Sequence, residues 1–357
     1  MNALAEKLAQ QIRAAGPIGV ADFMAACLHD PEHGYYATRP RLGGAGADFL
    51  TAPEASQMFG ELIGLWCAHE WEKLGKPEFN LIELGPGRGV LMQDALRATA
   101  RIDGFHKAAR IVLVELSAPL RAEQRARVAE AAWIDRLELA PPGASLILAN
   151  EFLDCLPIRQ FARTRDGWRE KLVGINADGA LSFGLSPPLL FPPTVSRCAL
   201  DTSPVNGGGV LEYAPALAGF VATLAARLHA APGRALIADY GYGRPEGADT
   251  LQALSGHAKC DPLAAPGEAD LTAHVDFAAL AQLAAEAGLA VHGPVPQADF
   301  LRALGLDRRA EALMRANPER AERIAREHRR LTHAEEMGVL FKMLCLSSPN
   351  LPPPAGF

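Results

Sequence analysis

The chain has 357 residues, 49% hydrophobic and 21% charged, which is the mixture of a globular enzyme and excludes a disordered chain. Lys and Arg total 35 against 41 Asp and Glu, giving a net charge of −6. That balance argues against nucleic acid or an anionic membrane surface as the main partner.

At about 150 residues per domain, the length allows two domains or one elaborated α/β domain. Residues 3–14 predict a helix, with Leu4, Leu8 and Ile12 on one face and Gly16-Pro17 as its stop. A second short helix is expected over 20–28, then a Gly/Tyr/Pro-rich loop from Asp30-Pro31 to about Pro53, long enough to be a lid. Glu54 to Leu74 reads as one long helix. Asn80 to Leu84 is a short apolar strand, followed by Gly85-Pro86-Gly87-Arg88-Gly89 and a helix from Val90 to Ala100.

Ile111 to Val114 predicts a second strand closed by Glu115, with a helix from Pro119 to about Ala131. A short third strand is expected at Leu137 to Leu139, a fourth at Ser145 to Ala149 and a fifth at Arg234 to Ala238. The fourth ends in Asn150-Glu151 and the fifth in Asp239-Tyr240-Gly241. Between those two, Gln160 to Phe183 alternates like β-structure around two hairpin signals, Asp166-Gly167 and Asp178-Gly179. A helix from about Pro215 to His229 returns to the sheet. Further on come a helix over 277–287, a strand over 289–292, helices near 298–306 and 308–330, and a last strand from Gly338 to Leu346. Alternating strands and helices imply a parallel sheet with helices on both faces.

The expected organisation is an N-terminal helical segment and lid loop over 1–78, then an α/β domain over 79–346. That domain carries insertions near 155–230 and 298–335, and a Pro-rich tail follows over 347–357. The six cysteines, Cys27, Cys67, Cys155, Cys198, Cys260 and Cys345, lie far apart without CxxC or zinc spacing. They point to a reduced intracellular protein with buried thiols. No run of 18 apolar residues suggests a membrane span. The N-terminus lacks a secretory apolar core and, with Glu6 and the single Arg13, makes a poor organelle presequence, so the cytoplasm is expected. His29 and His33 are separated by Pro31, which breaks any helix that would pair them, so no metal site is expected.

A dinucleotide fold asks for G-x-G-x-x-G with pyrophosphate on the helix N-terminus. Here the spacing is Glu83-x-Gly85-x-Gly87-x-Gly89. A carboxylate in that place repels pyrophosphate but suits the ammonium or sulfonium of S-adenosylmethionine, and Glu115 is placed to accept both ribose hydroxyls. The plainer alternatives are a tight strand-to-helix turn and a solvated strand terminus. No P-loop signature is present.

Several runs together resemble the MidA-like family of S-adenosylmethionine-dependent methyltransferases, which includes a mitochondrial complex I assembly factor. They are His33-Gly34-Tyr35-Tyr36, Asp48-Phe49-Leu50-Thr51-Ala52-Pro53-Glu54, Glu83 to Gly89, Asn150-Glu151-Phe152-Leu153-Asp154, Asp239-Tyr240-Gly241-Tyr242 and Asp270 to Phe277. They occur in the family's order over about residues 16–346. One departure is the glycine-rich link Gly43-Gly44-Ala45-Gly46-Ala47, which bears on the lid.

The resemblance implies a class I Rossmann-like methyltransferase sheet with helices on both faces and a β-hairpin/helical insertion. It also implies S-adenosylmethionine as cofactor and protein arginine N-methylation, in the mitochondrial case of a complex I subunit. Expected cofactor-binding residues are Glu83, Gly85, Pro86, Gly87, Gly89, Glu115 and Asn150. A guanidinium acceptor stays protonated and delocalised, and a carboxylate can grip it bidentately. Glu151 is the first choice for that role and Asp154 the second, with His274 as proton acceptor or substrate clamp. Each has a plainer reading: a helix cap for Glu151, a solvated helix carboxylate for Asp154, a packed histidine for His274. Two other functions stay open: an assembly chaperone on a methyltransferase fold, and a nicotinamide-dependent oxidoreductase.

Overall fold

The computed structural model describes residues 2–38, 51–191, 193, 209–244 and 247–357. Asp48-Phe49-Leu50, the glycine-rich link 43–47 and Cys198 lie outside the described residues.

One mostly parallel sheet organises the chain. Its spatial order is Ala290–Pro296, Phe341–Ser347, Gly233–Tyr242, Ala144–Asn150, Phe79–Leu84, Ala109–Val114, Ala132–Ile134. Phe341–Ser347 is antiparallel to both its neighbours, and the pairs from Gly233–Tyr242 outward to Ala132–Ile134 are parallel. Parallel neighbours need crossovers, which include the helices Val90–Thr99, Ala118–Arg127 and Ala216–Ala230. Successive side chains leave opposite faces of a strand. Leu81 and Leu148 accordingly pack beneath Trp66 on one face, while Ile82, Ile147 and Ile237 meet Leu224 and Leu280 on the other. This is the Rossmann-like methyltransferase sheet that the resemblance implies.

The helix Gln57–Lys73 crosses Val90–Thr99 at very short range. A Cβ on Gly64 would stand 2.5 Å from the Ala95 backbone, and one on Gly60 would stand 2.6 Å from the Asp94 Cβ. The two glycines thus let the helix that opens at the glycine turn seat against the sheet. Elsewhere Arg234 and Glu70, both fully buried, pair at 2.8 Å. Arg234 also donates to Ser347 Oγ and to the Pro352 carbonyl, while Glu70 accepts the Ala355 N–H at 2.9 Å. Residues 348–357 are therefore held on the sheet, with the Phe357 ring 5.1 Å from that of Phe300.

Both predicted hairpins form: Thr164 pairs with Gly167, and Val173 pairs with Phe183. Several elements differ from the sequence expectation. The third strand is Ala132–Ile134, and Leu137–Leu139 is a 3-10 turn. The long helix from Glu54 is broken at Ser56, whose extended backbone ends the short helix Ala52–Ala55 and whose hydroxyl caps Gln57–Lys73. Met337–Leu340 is a helical turn before the last strand. A small sheet of Gln252–Ser255, Ala258–Cys260 and Asp270–Thr272 was not anticipated. Nor are all thiols buried, since Cys260 is exposed.

The glycine contacts give a paired prediction. Gly64→Ala should destabilise the protein by about 1–3 kcal/mol, although alanine is the better helix former, because the helices must part. Gly219 in Ala216–Ala230 has nothing within 4 Å of its Cβ position. Gly219→Ala should stabilise by about 0.5–1 kcal/mol. Denaturant midpoints of the two variants against the parent would show the opposite signs.

Candidate active site

The carboxyl ends of Phe79–Leu84, Ala109–Val114, Ala144–Asn150 and Gly233–Tyr242 meet at one edge of the sheet. A cavity of about 1240 Å³ opens there. Glu83, Gly85, Pro86, Gly87, Glu115, Asn150, Glu151 and Asp154 all line it. Gly89 and His274 do not.

The glycine turn requires its glycines. Gly85, Gly87 and Gly89 have φ of +60°, +50° and +80°, a region that side chains disfavour. Gly85 N–H donates to the Val114 carbonyl at 3.0 Å, and Gly89 N–H donates to Pro86 at 2.7 Å. A Cβ on Gly85 would lie 2.8 Å from the Phe152 ring, whereas one on Gly87 would meet nothing within 4 Å. The backbone at Gly87 is thus open to close approach by a ligand.

Glu83 is 3% exposed, and burial pushes its carboxyl up to about 8 against the Met92 N–H that opposes the shift. Its Oε2 is buried without a hydrogen-bond partner, as is Asn150 Oδ1. Two orphaned acceptors beside an open glycine backbone fit a cationic, donor-bearing ligand. S-adenosylmethionine has that character. Glu115 is partly buried; its Oε1 accepts Ser117 N–H at 2.7 Å and its Oε2 accepts Gln124 Nε2 at 3.3 Å. Burial raises its carboxyl from the ordinary value.

The opposite wall of the cavity is built around Asp239, which is fully buried. Its Oδ2 accepts the N–H groups of Phe152, Leu153 and Asp154 at 3.1, 2.8 and 3.3 Å, and its Oδ1 accepts Tyr240 N–H at 2.9 Å. No helix follows Glu151, so Glu151 caps none there. It has φ +49°, an unusual conformation for a residue with a side chain. Its Oε1 accepts the Ala52 N–H at 3.0 Å and Asn150 Nδ2 at 3.2 Å, tying the Thr51 to Ala55 segment across the cavity. Burial pushes its carboxyl up to about 8. Asp154 is buried and hydrogen-bonded to the Tyr240 hydroxyl, and burial raises its carboxyl as well. Opposite, the Tyr36 hydroxyl donates to Asp270 at 3.2 Å. The His274 ring packs edge-on against Tyr240 at 5.7 Å, and Tyr240 lines the cavity.

Sequence reasoning missed Gln124, Trp133 and the role of Asp239 as the anchor of the 152–154 loop. Gln124 carried one signal: it shares a helix face with Leu120, and both are buried.

The raised carboxyls have a consequence for stability. A carboxyl near 8 in the fold keeps a proton that the unfolded chain releases near 4.3. The ligand-free protein should therefore lose stability as pH rises from about 4.5 to about 8. Glu83→Gln should flatten that fall, melt above the parent at pH 8, and bind the cofactor more weakly. Thermal melts from pH 5 to 8.5, with and without S-adenosylhomocysteine, would read all three effects.

The model of a family of S-adenosyl-L-methionine-dependent methyltransferases matches residues 62–295. A protein of Danio rerio named protein arginine methyltransferase NDUFAF7, mitochondrial, is 37% identical, with the match covering 96% of this chain and 86% of that protein. The Homo sapiens protein of the same name is 34% identical, over 95% and 82% of the two chains. A Burkholderia thailandensis protein solved with bound S-adenosyl-homocysteine superposes with a TM-score of 0.87 at 29% identity, covering 99% of this chain and 94% of that one. These similarities favour methyl transfer over the oxidoreductase and chaperone readings. They also correct the expectation of a cytoplasmic protein, since the curated relatives are named mitochondrial. No helix among the described residues is long and apolar enough to cross a membrane. The chain belongs to this family of S-adenosyl-L-methionine-dependent methyltransferases.

Proposed function

We propose that the chain methylates arginine side chains of a protein, with Glu151 and Asp154 at the acceptor. One observation carries this reading. Among the described residues, eight Asp and Glu side chains line the cavity against three Arg and no Lys. Such a cavity favours a cationic acceptor over an anionic one. The names of the relatives agree with it, and the MidA-like resemblance points to a subunit of a respiratory complex as the protein substrate.

Glu83, Asn150 and the open backbone at Gly87 would hold the methionine end of the cofactor, and Glu115 the ribose. When bound, S-adenosylmethionine supplies an electrophilic methyl group on a sulfonium. Glu151 grips the guanidinium and draws its positive charge away from the attacking nitrogen. The new N–C bond forms as the S–C bond breaks, and the nitrogen must then lose one proton. Asp154, held above the ordinary carboxylate range and bonded to Tyr240, is placed to take it. The Phe152 and Phe220 rings, 6.0 Å apart, give the cavity an apolar wall on the side of the glycine turn.

Glu151→Gln keeps the acceptor oxygen that holds Ala52 but removes the charge. Cofactor affinity should survive, while methyl transfer falls about a hundredfold, corresponding to about 3 kcal/mol. At saturating cofactor the parent's rate should rise with pH to a midpoint above the ordinary carboxylate range and below about 8, because burial raises the Glu151 carboxyl and a bound cation lowers it again. The variant should lose that rise. A parental rate in Glu151→Gln would move the clamp to Asp154.

The acceptor itself is read by incubating methyl-labelled cofactor with lysate of a strain lacking the protein, then hydrolysing the labelled band. Methylarginine is the expected product; label on another residue would overturn the arginine reading.

A further inference from the structure

Gln124 lies in the helix Ala118–Arg127, is fully buried, and does not line the cavity. Its side-chain amide nevertheless touches both halves of the cofactor site. Nε2 donates to the Gly87 carbonyl at 2.7 Å and to Glu115 Oε2 at 3.3 Å. Its Oε1 accepts the indole N–H of Trp133 at 2.7 Å. An amide has two donor hydrogens and one acceptor oxygen, and here all three are used. Trp133 offers only a donor, so the amide cannot turn over without losing every one of these bonds. Gly89 packs beside it: a Cβ there would stand in van der Waals contact, 3.4 Å from Gln124 Cγ.

The consequence falls on Glu115. Its Oε1 is taken by the Ser117 N–H and its Oε2 by Gln124, so the plane of the carboxylate is fixed before any ligand arrives. A carboxylate has about four lone-pair sites, so acceptor capacity remains on it. A vicinal diol donates two parallel hydrogen bonds and matches a carboxylate held in this way. A single hydroxyl matches only half of it.

We propose that Gln124, locked by Trp133, is a positioning residue that sets the selectivity of the cofactor site for an intact ribose diol. The proposal rests on the reading that Glu115 takes the ribose. Gln124 acts on the ligand only through Glu115 and the Gly87 carbonyl. Trp133 acts one step further out, from the outermost strand of the sheet.

The test compares calorimetric binding of S-adenosylhomocysteine with that of its 2′-deoxyribose analogue. The parent should prefer the diol about tenfold, the worth of one hydrogen bond to a charged group. Gln124→Met keeps the length of the side chain and removes its polar atoms; in it the preference should collapse to less than about threefold. Trp133→Phe keeps Gln124 but frees its amide to turn, so the preference should fall to an intermediate value, and this variant decides the matter if Gln124→Met does not fold. A uniform loss of affinity with the preference intact would mean a merely structural role and overturn the proposal, as would parental binding in both variants. A parent that binds the two ligands equally would instead remove the Glu115 reading itself.

Discussion

One wall of the cavity depends on a single buried side chain. Asp239 ends the strand Gly233–Tyr242 and collects three consecutive N–H groups from the loop that leaves the neighbouring strand, Ala144–Asn150. Three parallel donors converging on one oxygen form an anion-binding concavity. Here the accepting oxygen is part of the chain, so the loop has no freedom to become a helix. It instead projects Glu151, Phe152 and Asp154 towards the cavity. The left-handed backbone at Glu151 is a cost of that geometry, and the bonds to Asp239 sustain it.

The same site shows why binding and folding oppose each other here. Glu83 and Glu151 sit where burial disfavours their charge, and Glu83 has an oxygen with no partner inside the protein. A fold optimised for stability alone would pair or remove such groups. Left unpaired, the Glu83 oxygen is complementary to a donor that the protein does not contain. A bound cation near these two carboxyls would supply the missing charge from outside, and the ligand-bound state would be the electrostatically complete one.

Much of this was legible in the sequence because it is local. The strand before Gly85 and the helix after Gly89 adjoin a turn whose spacing alone requires left-handed backbone. The two hairpins likewise announce themselves through Asp-Gly pairs. What was illegible depends on partners far away in the chain. Ala132–Ile134 is too short for a periodic signal and exists as a strand only because Val112 to Val114 lies beside it. Gln124 looks like any polar helix residue until Gly87 and Trp133 are brought around it. Glu151 reads first as a group that could grip a cation and second as a helix cap; the cap needs a helix to follow, which Asp239 prevents from 88 positions downstream.

The strand Phe341–Ser347 comes after both of its neighbours in the chain, yet it lies between Gly233–Tyr242 and Ala290–Pro296. Until it has emerged from the ribosome, those two strands face each other across a vacant lane about 10 Å wide, each with an unpaired row of amides and carbonyls. Leu340 and Phe341 also belong to the cavity wall. The parallel pairs around the glycine turn can assemble early during translation, but the full cavity wall cannot. A nascent chain therefore forms the glycine turn first and completes the cavity later, and in the interval its open sheet edges are surfaces for chaperones to cover.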